Sequence, residues 1–137
     1  MFEEAEKFRF QELWTRDVAN VFKTNLDSIQ KLFKVFHHKR KYMSIESAYY
    51  LFEKVQKVEG PQANMPLKDF NYMYAMSKEV VVSESEDGLK YLRTKFLELV
   101  ELIGRVAVYK FDDSDLENYP LTQKIELLLD ELLPLVK

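Results

Sequence analysis

The chain has 137 residues, which suits one domain with a single hydrophobic core. Apolar residues make up 47% and charged residues 31%, a globular rather than disordered composition, and the net charge of −3 does not favour a protein that coats nucleic acid. The absence of cysteine excludes disulfides, thiolate metal sites and a cysteine nucleophile. Only three glycines and four prolines occur, which favours long helices over a turn-rich β-sandwich.

Residues 1–24 are predicted to form an N-terminal helical arm. Apolar residues recur at helical spacing from Phe10 to Phe22, with a break expected near Thr15. Thr24 is the expected N-cap of the next helix, with Asp27 as its capping-box partner. The acidic start, MFEEAEKF, lacks the apolar core of a signal peptide, and no apolar run is long enough to span a membrane. We therefore expect an intracellular protein that has no membrane partner.

Residues 25–60 are predicted to form a helix–loop–helix unit. Its first helix carries an apolar stripe at helical spacing, Leu26, Ile29, Leu32, Phe33 and Phe36. The loop that follows reads HHKRKYMS, residues 37–44, and holds five basic or histidine side chains without a carboxylate. Ser44 is the expected N-cap of the second helix, since its hydroxyl can accept a free backbone N–H of the first turn.

Residues 66–108 are predicted to form a second helix–loop–helix unit, and residues 119–137 a C-terminal helix. Pro66 suits a first helical turn, SESEDG at residues 83–88 reads as a solvated loop, and Thr94 is a candidate N-cap. The helix after Thr94 has the strongest apolar face in the chain, formed by Phe96, Leu99, Val100, Ile103, Val106 and Ala107.

The stretch LDSIQKLFKVFHHKRKYMSIESAYYLFEKV resembles half of an EF-hand pair, and the likeness covers residues 25–108. In that family, an apolar residue late in each loop forms a short two-stranded contact with its counterpart before a capped exit helix. By resemblance, Met43 and Leu92 would take those places. The second unit, running into KYLRTKFLELVELIGRVA, together with a trailing amphipathic helix, is also similar to EF-hand-like modules of ciliary and other cytoskeletal proteins of protists.

The first loop lacks the residues that bind calcium. Calcium needs oxygen ligands at alternate loop positions, a glycine at the bend and a closing bidentate glutamate. Counted from residue 37, the alternate positions hold His37, Lys39 and Lys41, the bend holds Tyr42, and the closing position falls at Ser47 or Ala48. We interpret this loop as a degenerate calcium loop and expect no metal site and no cofactor.

Two acidic stretches offer oxygens without the required spacing. The loop Ser83–Gly88 lacks the alternation of aspartates that precedes the bend glycine, so a solvated loop is the favoured interpretation and weak calcium binding stays open. FDDSDLEN, residues 111–118, is interpreted as an acidic lead-in to the last helix, whose N-terminus carries partial positive charge.

No sequence motif indicates catalysis. The chain has no glycine-rich phosphate loop, no G-x-S-x-G motif and only two adjacent histidines, which cannot supply a helical zinc pair. We therefore predict no catalytic residues and a protein that is not an enzyme.

Two surfaces are predicted to contact a partner protein. The first is the basic loop, residues His37, His38, Lys39, Arg40 and Lys41, which suits an acidic partner; the competing interpretation is a solvated loop whose cations complement a helix C-terminus. The second is the apolar face of the C-terminal helix, Leu128, Leu129, Leu132 and Leu133, which either packs across both units or meets a partner.

The predicted fold is all-α, an EF-hand-like pair of helix–loop–helix units with additional N- and C-terminal helices; a generic helical bundle is the alternative. The predicted function is a calcium-independent protein–protein interaction or structural module of a larger cytoskeletal or ciliary assembly. The partner would be an acidic protein or an amphipathic helix rather than nucleic acid. A calcium sensor that uses the second loop and a nucleic-acid-binding domain that uses the basic loop are the alternatives.

Overall fold

A computed structural model of the chain describes residues 6–36, 43–53, 65–77, 93–112 and 117–136. The helices, numbered along the chain, are α1 (Arg16–Thr24), α2 (Leu26–Phe36), α3 (Ile45–Glu53), α4 (Leu67–Ser77), α5 (Phe96–Phe111) and α6 (Leu121–Leu132). A π-helical turn, Arg9–Leu13, precedes α1, and a 3-10 turn, Leu133–Val136, follows α6. Strands β1 (Met43–Ser44) and β2 (Arg93–Thr94) are the only β structure within these ranges. The predominantly helical architecture confirms the predicted all-α class.

The N-terminal arm is divided at Trp14 and Thr15, as the sequence predicted. Residues 6–13, which we call the N-terminal segment, end in the π-helical turn, where the Trp14 N–H donates to the Arg9 carbonyl at 2.7 Å. Thr15 is extended and caps α1, because its Oγ1 accepts from the Val18 N–H at 3.4 Å. The predicted N-cap at Thr24 is wrong, since Thr24 is the last residue of α1.

The two short strands lie just before α3 and α5 and pair with each other. They pair antiparallel, with Met43 opposite Thr94 and Ser44 opposite Arg93. Met43 is fully buried. Ser44 caps α3 as predicted, because its Oγ accepts from the Ser47 N–H at 3.1 Å. The contact fixes the starts of α3 and α5 side by side.

The start of α5 differs from the prediction. Thr94 lies in strand β2, and Lys95 takes the N-cap position with an extended backbone. The Lys95 backbone N–H donates to Glu98 Oε1 at 2.9 Å. This is the hydrogen bond of a capping box in which the N3 side chain accepts from the backbone of the N-cap residue. The helix therefore begins at Phe96, two residues after the predicted cap.

Helix α5 is the central element of the fold. Its predicted apolar face is buried, and Leu99, Ile103 and Val106 are all inaccessible to solvent. The opposite face is buried as well, including Glu98, Glu101 and Arg105. Helices α4 and α6 pack against α5, and α2 also contacts it. From Glu98 to Ala107 every residue of α5 is buried, so the charged residues in this stretch need partners.

Helix α6 packs within the chain, against α5 and α1. Leu128 and Leu132 are inaccessible to solvent, Leu129 is 2% exposed, and Leu133 packs partly buried against the same core. The expectation that these four leucines meet a partner protein is therefore corrected. The apolar face is wide because it is shared between two neighbouring helices of the same chain.

An aromatic cluster joins α3 to α4. The Tyr49 and Phe70 ring centroids lie 5.0 Å apart, and Phe52 and Tyr74 lie within 6.4 Å of Phe70. The Tyr49 hydroxyl donates to the Met65 carbonyl at 3.2 Å, just before α4 begins. Tilted ring contacts of this kind add to the burial energy, so α3 is fixed to α4.

Candidate interaction surface

Glu101 lies at the centre of a buried ion cluster on α5. Its Oε1 accepts from Arg9 Nε at 2.6 Å, and its Oε2 accepts from Arg105 Nε at 3.0 Å. The exposed fractions of the three side chains are 13% for Arg9 and 7% for Glu101 and Arg105. Glu6 adds a second carboxylate, 2.8 Å from Arg9 Nη1. One carboxylate therefore bridges a guanidinium of the N-terminal segment and one of α5.

Arg9 also contacts the end of α4. Its Nη2 donates to the Met76 carbonyl at 2.8 Å. Met76 is next to the last residue of α4, Ser77, and carbonyl groups in a last helical turn have no partner within the helix and favour cations. Arg9 thus connects three elements, the N-terminal segment, α4 and α5.

The electrostatic environments of the two arginines differ. Partial burial by itself lowers the pKa of the Arg9 guanidinium, but the hydrogen bonds and charges of Glu101 and Glu6 outweigh it and raise that pKa. Burial lowers the pKa of Arg105, and Glu101 offsets only part of that effect. Both groups keep their charge, because guanidinium does not lose its proton in proteins. The cluster is therefore suited to recognition and fixation rather than to proton transfer.

Apolar contacts complete the docking of the N-terminal segment on α5. Leu13 is fully buried, and a Cβ built on Gly104 would come within 2.5 Å of Leu13 Cδ1. Gly104 is therefore the notch that admits the leucine. The Arg105 guanidinium carbon lies 4.5 Å from the centroid of the Phe8 ring, a cation–π geometry. Phe8, Arg9 and Leu13 together form the inner face of the segment.

The outer face of the same segment is open to solvent. Phe10 is 71% exposed, and Lys7, Gln11 and Glu12 are also exposed. Trp14, which follows the segment, is 44% exposed. The segment therefore contacts the rest of the chain along one side only. Leu97, at the start of α5, is 69% exposed. We call the surface of α4 and α5 that the segment covers the docking ledge; it consists of Met76, Glu101, Gly104 and Arg105.

A hydrogen bond between Tyr109 and Asp69 also joins α5 to α4, away from the docking ledge. The Tyr109 hydroxyl donates to Asp69 Oδ2 at 2.6 Å. Partial burial and this hydrogen bond raise the pKa of the Tyr109 phenol. The two residues line an open cavity of about 440 Å³ together with Lys68, Tyr72 and Met73. The bond cross-links the first turn of α4 to the last turns of α5.

Several predicted sites lie outside the described residues. These are the basic loop His37, His38, Lys39, Arg40 and Lys41, the second loop Ser83–Gly88, and Leu92. Within the described residues, no group of three or more histidine, aspartate or glutamate side chains could hold a metal ion. In the same part of the chain, no helix is long and apolar enough to cross a membrane.

The docking ledge was missed in the sequence because its charged residues follow the ordinary surface pattern. Glu101 and Arg105 stand four residues apart on a helix, a spacing typical of solvent-exposed ion pairs. The available signal was Gly104, a glycine inside the strongest helix of the chain. An isolated glycine there costs helix stability and commonly marks a close approach of another element.

No protein-family model matches the chain, and no curated protein and no solved structure is significantly similar to it.

Proposed function

We propose that this chain is a non-enzymatic protein-interaction or structural module that works without calcium, within a larger cytoskeletal or ciliary assembly. The observation that carries the proposal is the docked N-terminal segment, which lies on α4 and α5 as a one-sided helical ligand with Arg9 bound to Glu101. Helix-in-groove binding is a recurring mode of protein recognition, and here the chain already contains one such contact.

The pairing of strands β1 and β2 supports an EF-hand-like arrangement for this module. Met43 and Ser44 pair with Arg93 and Thr94 directly before α3 and α5, close to the place where the resemblance expects two loops to meet. The register differs from that expectation, because Met43 lies opposite Thr94 and not opposite Leu92. Calcium independence is proposed from the sequence of the first loop, residues 37–44, whose alternate positions carry cations instead of oxygens.

A calcium titration tests the first part of the proposal. Trp14 is the only tryptophan and is 44% exposed at the break before α1, so its fluorescence reports on the N-terminal segment. We expect neither this fluorescence nor the melting temperature to change up to about 1 mM calcium, the range of weak extracellular-type sites. A saturable change would instead support a calcium sensor that uses the loop Ser83–Gly88.

A binding titration tests the partner. We propose that the basic loop attaches the module to an acidic protein, so a labelled polyglutamate peptide should bind with an affinity that falls as salt rises. Replacing the five residues 37–41 by serine or glutamine should abolish this binding and leave the far-UV circular dichroism unchanged. RNA is the comparison ligand. Binding of RNA without binding of the acidic peptide would overturn the protein-partner proposal and favour a nucleic-acid-binding domain.

A further inference from the structure

We propose that the docking ledge also accepts a helix of a partner protein, and that the N-terminal segment is its internal competitor. The partner helix would carry an aromatic residue, an arginine immediately after it and a large apolar residue four positions after the arginine. This inference rests on the proposed function, since it names the partner and the regulation of the same surface.

The chemistry of the partner follows from what the ledge offers when the segment is absent. Glu101 Oε1 and the Met76 carbonyl both face a guanidinium, at 2.6 and 2.8 Å from Arg9. A planar guanidinium can satisfy two acceptors at once, which a lysine ammonium does less well. Gly104 leaves a notch for a branched apolar side chain, and the Arg105 guanidinium offers its face to an aromatic ring. The order aromatic, arginine, then leucine is that of Phe8, Arg9 and Leu13, the residues that make these three contacts in the chain itself.

The N-terminal segment is built so that it can leave without breaking α1. The helix begins after Thr15, whose side chain caps it, so the N-cap of α1 lies outside residues 6–13, although the Thr15 hydroxyl also donates to the Glu12 carbonyl at 3.4 Å. The outward side chains of the segment are exposed; on its inner side Leu13 is fully buried, and Phe8 packs partly buried against the core. Release would therefore uncover these two apolar side chains.

The ion cluster on α5 also tolerates the release of the N-terminal segment. When Arg9 departs, Glu101 keeps Arg105 at 3.0 Å, so the ledge retains one carboxylate and one guanidinium. Removing the only partner of a buried charge is costly, but this arrangement avoids that situation. An incoming arginine would restore the second hydrogen bond.

The experiment uses the full chain and a fluorescein-labelled peptide of residues 6–15, EKFRFQELWT, followed by fluorescence anisotropy. In the variant Leu13→Asp, the segment can no longer occupy the Gly104 notch, so the ledge is open. We expect this variant to bind the peptide on the order of 100-fold more tightly than the wild-type chain, because a tethered segment has an effective concentration in the millimolar range. The peptide should also raise the melting temperature of the variant.

Two control peptides test the proposed chemistry. Arg9→Glu and Lys7→Glu change the peptide charge by the same amount, but Lys7 lies on the exposed face. We expect the Arg9→Glu peptide to lose binding and the Lys7→Glu peptide to bind within about threefold of the parent, since a rim charge contributes little. Equal losses for the two peptides would contradict the specific recognition of an arginine.

A second full-length chain covers the outcome in which Leu13→Asp does not fold. A protease recognition sequence inserted between Trp14 and Thr15 is cleaved after folding, and the labelled peptide should then exchange for the cleaved segment. If the folded chains bind no peptide by either route, the segment is a fixed part of the core and the inference is overturned. A polyglutamate titration of the same preparations distinguishes failure of the proposed function from failure of the inference about the docking ledge. If acidic-peptide binding persists, only the inference fails.

Discussion

Because of the contact between Gly104 and Leu13, we expect the substitution Gly104→Ala to lower the stability of the chain, whereas the same substitution usually stabilises a helix. Replacing a helix-interior glycine by alanine ordinarily stabilises a helix by about 1 kcal/mol. Here the new Cβ would lie 2.5 Å from Leu13 Cδ1, and Leu13 is fully buried, so its side chain has little room to move. Overpacking of this kind costs about 1–3 kcal/mol. We therefore expect Gly104→Ala to lower the free energy of unfolding by about 0–2 kcal/mol.

The same substitution should stabilise the chain when Leu13 is alanine. Leu13→Ala alone should cost about 2–5 kcal/mol, but it removes the atom that the new Cβ meets, so Gly104→Ala should then recover about 1 kcal/mol. Urea unfolding of the four proteins in this double-mutant cycle, followed by circular dichroism, measures the coupling. Ala19→Gly, at an exposed position of α1, measures the difference in helix propensity between alanine and glycine in this chain. Gly104→Ala could instead change the free energy of unfolding by the same amount, within about 0.5 kcal/mol, in the chain with Leu13 and in the Leu13→Ala variant. That result would refute the close contact between position 104 and Leu13.

Three further predictions address the charges and the core. Glu101→Gln should cost about 3–5 kcal/mol in urea unfolding, because it removes the carboxylate that two largely buried guanidiniums share and leaves Arg9 with Glu6. Glu126→Gln, at an exposed position of α6, should change stability by less than about 0.5 kcal/mol, and similar values for both variants would contradict a buried cluster. The raised pKa of Tyr109 means that the folded chain holds the phenolic proton more tightly than the unfolded chain, so this contribution is complete below about pH 10 and is lost as pH rises through the folded-state value. Tyr109→Phe should therefore cost about 1 kcal/mol at neutral pH and flatten the alkaline fall in stability, whereas parallel curves for the two proteins would reject the Tyr109 bond as its source. Leu128→Ala should cost about 2–5 kcal/mol in thermal or urea unfolding, and a change near zero would mean that Leu128 is not in the core.

The helices were predictable because their apolar residues recur at helical spacing. The sequence also located the break at Thr15 and the cap at Ser44, where a hydroxyl side chain immediately precedes an apolar stripe. The caps at Thr24 and Thr94 were predicted by the same rule and are wrong. At Thr24, the adjacent helix simply continues through the threonine, and at Thr94 pairing with Met43 takes the residue into a strand. Local patterns do not contain that long-range contact.

The docking ledge could not be predicted, since it is formed by residues far apart in the chain. Arg9 and Glu101 are separated by 92 positions, and each by itself resembles an ordinary surface charge. The C-terminal leucines show the converse case. Their wide apolar face was correctly identified as a surface that must be covered, but periodicity does not tell whether the cover is another helix of the chain or another protein. The two helices α5 and α1 provide it here.

The enclosure of α5 has a consequence for synthesis on the ribosome. The N-terminal segment emerges early, yet its partner Glu101 follows 92 residues later. At the usual elongation rates, this interval lasts roughly 5–20 seconds. During that time Phe8 and Leu13 have no place to pack, and α5 itself lacks its cover until α6 has been made. The apolar face of the N-terminal segment is therefore made several seconds before the part of the chain that covers it in the folded protein.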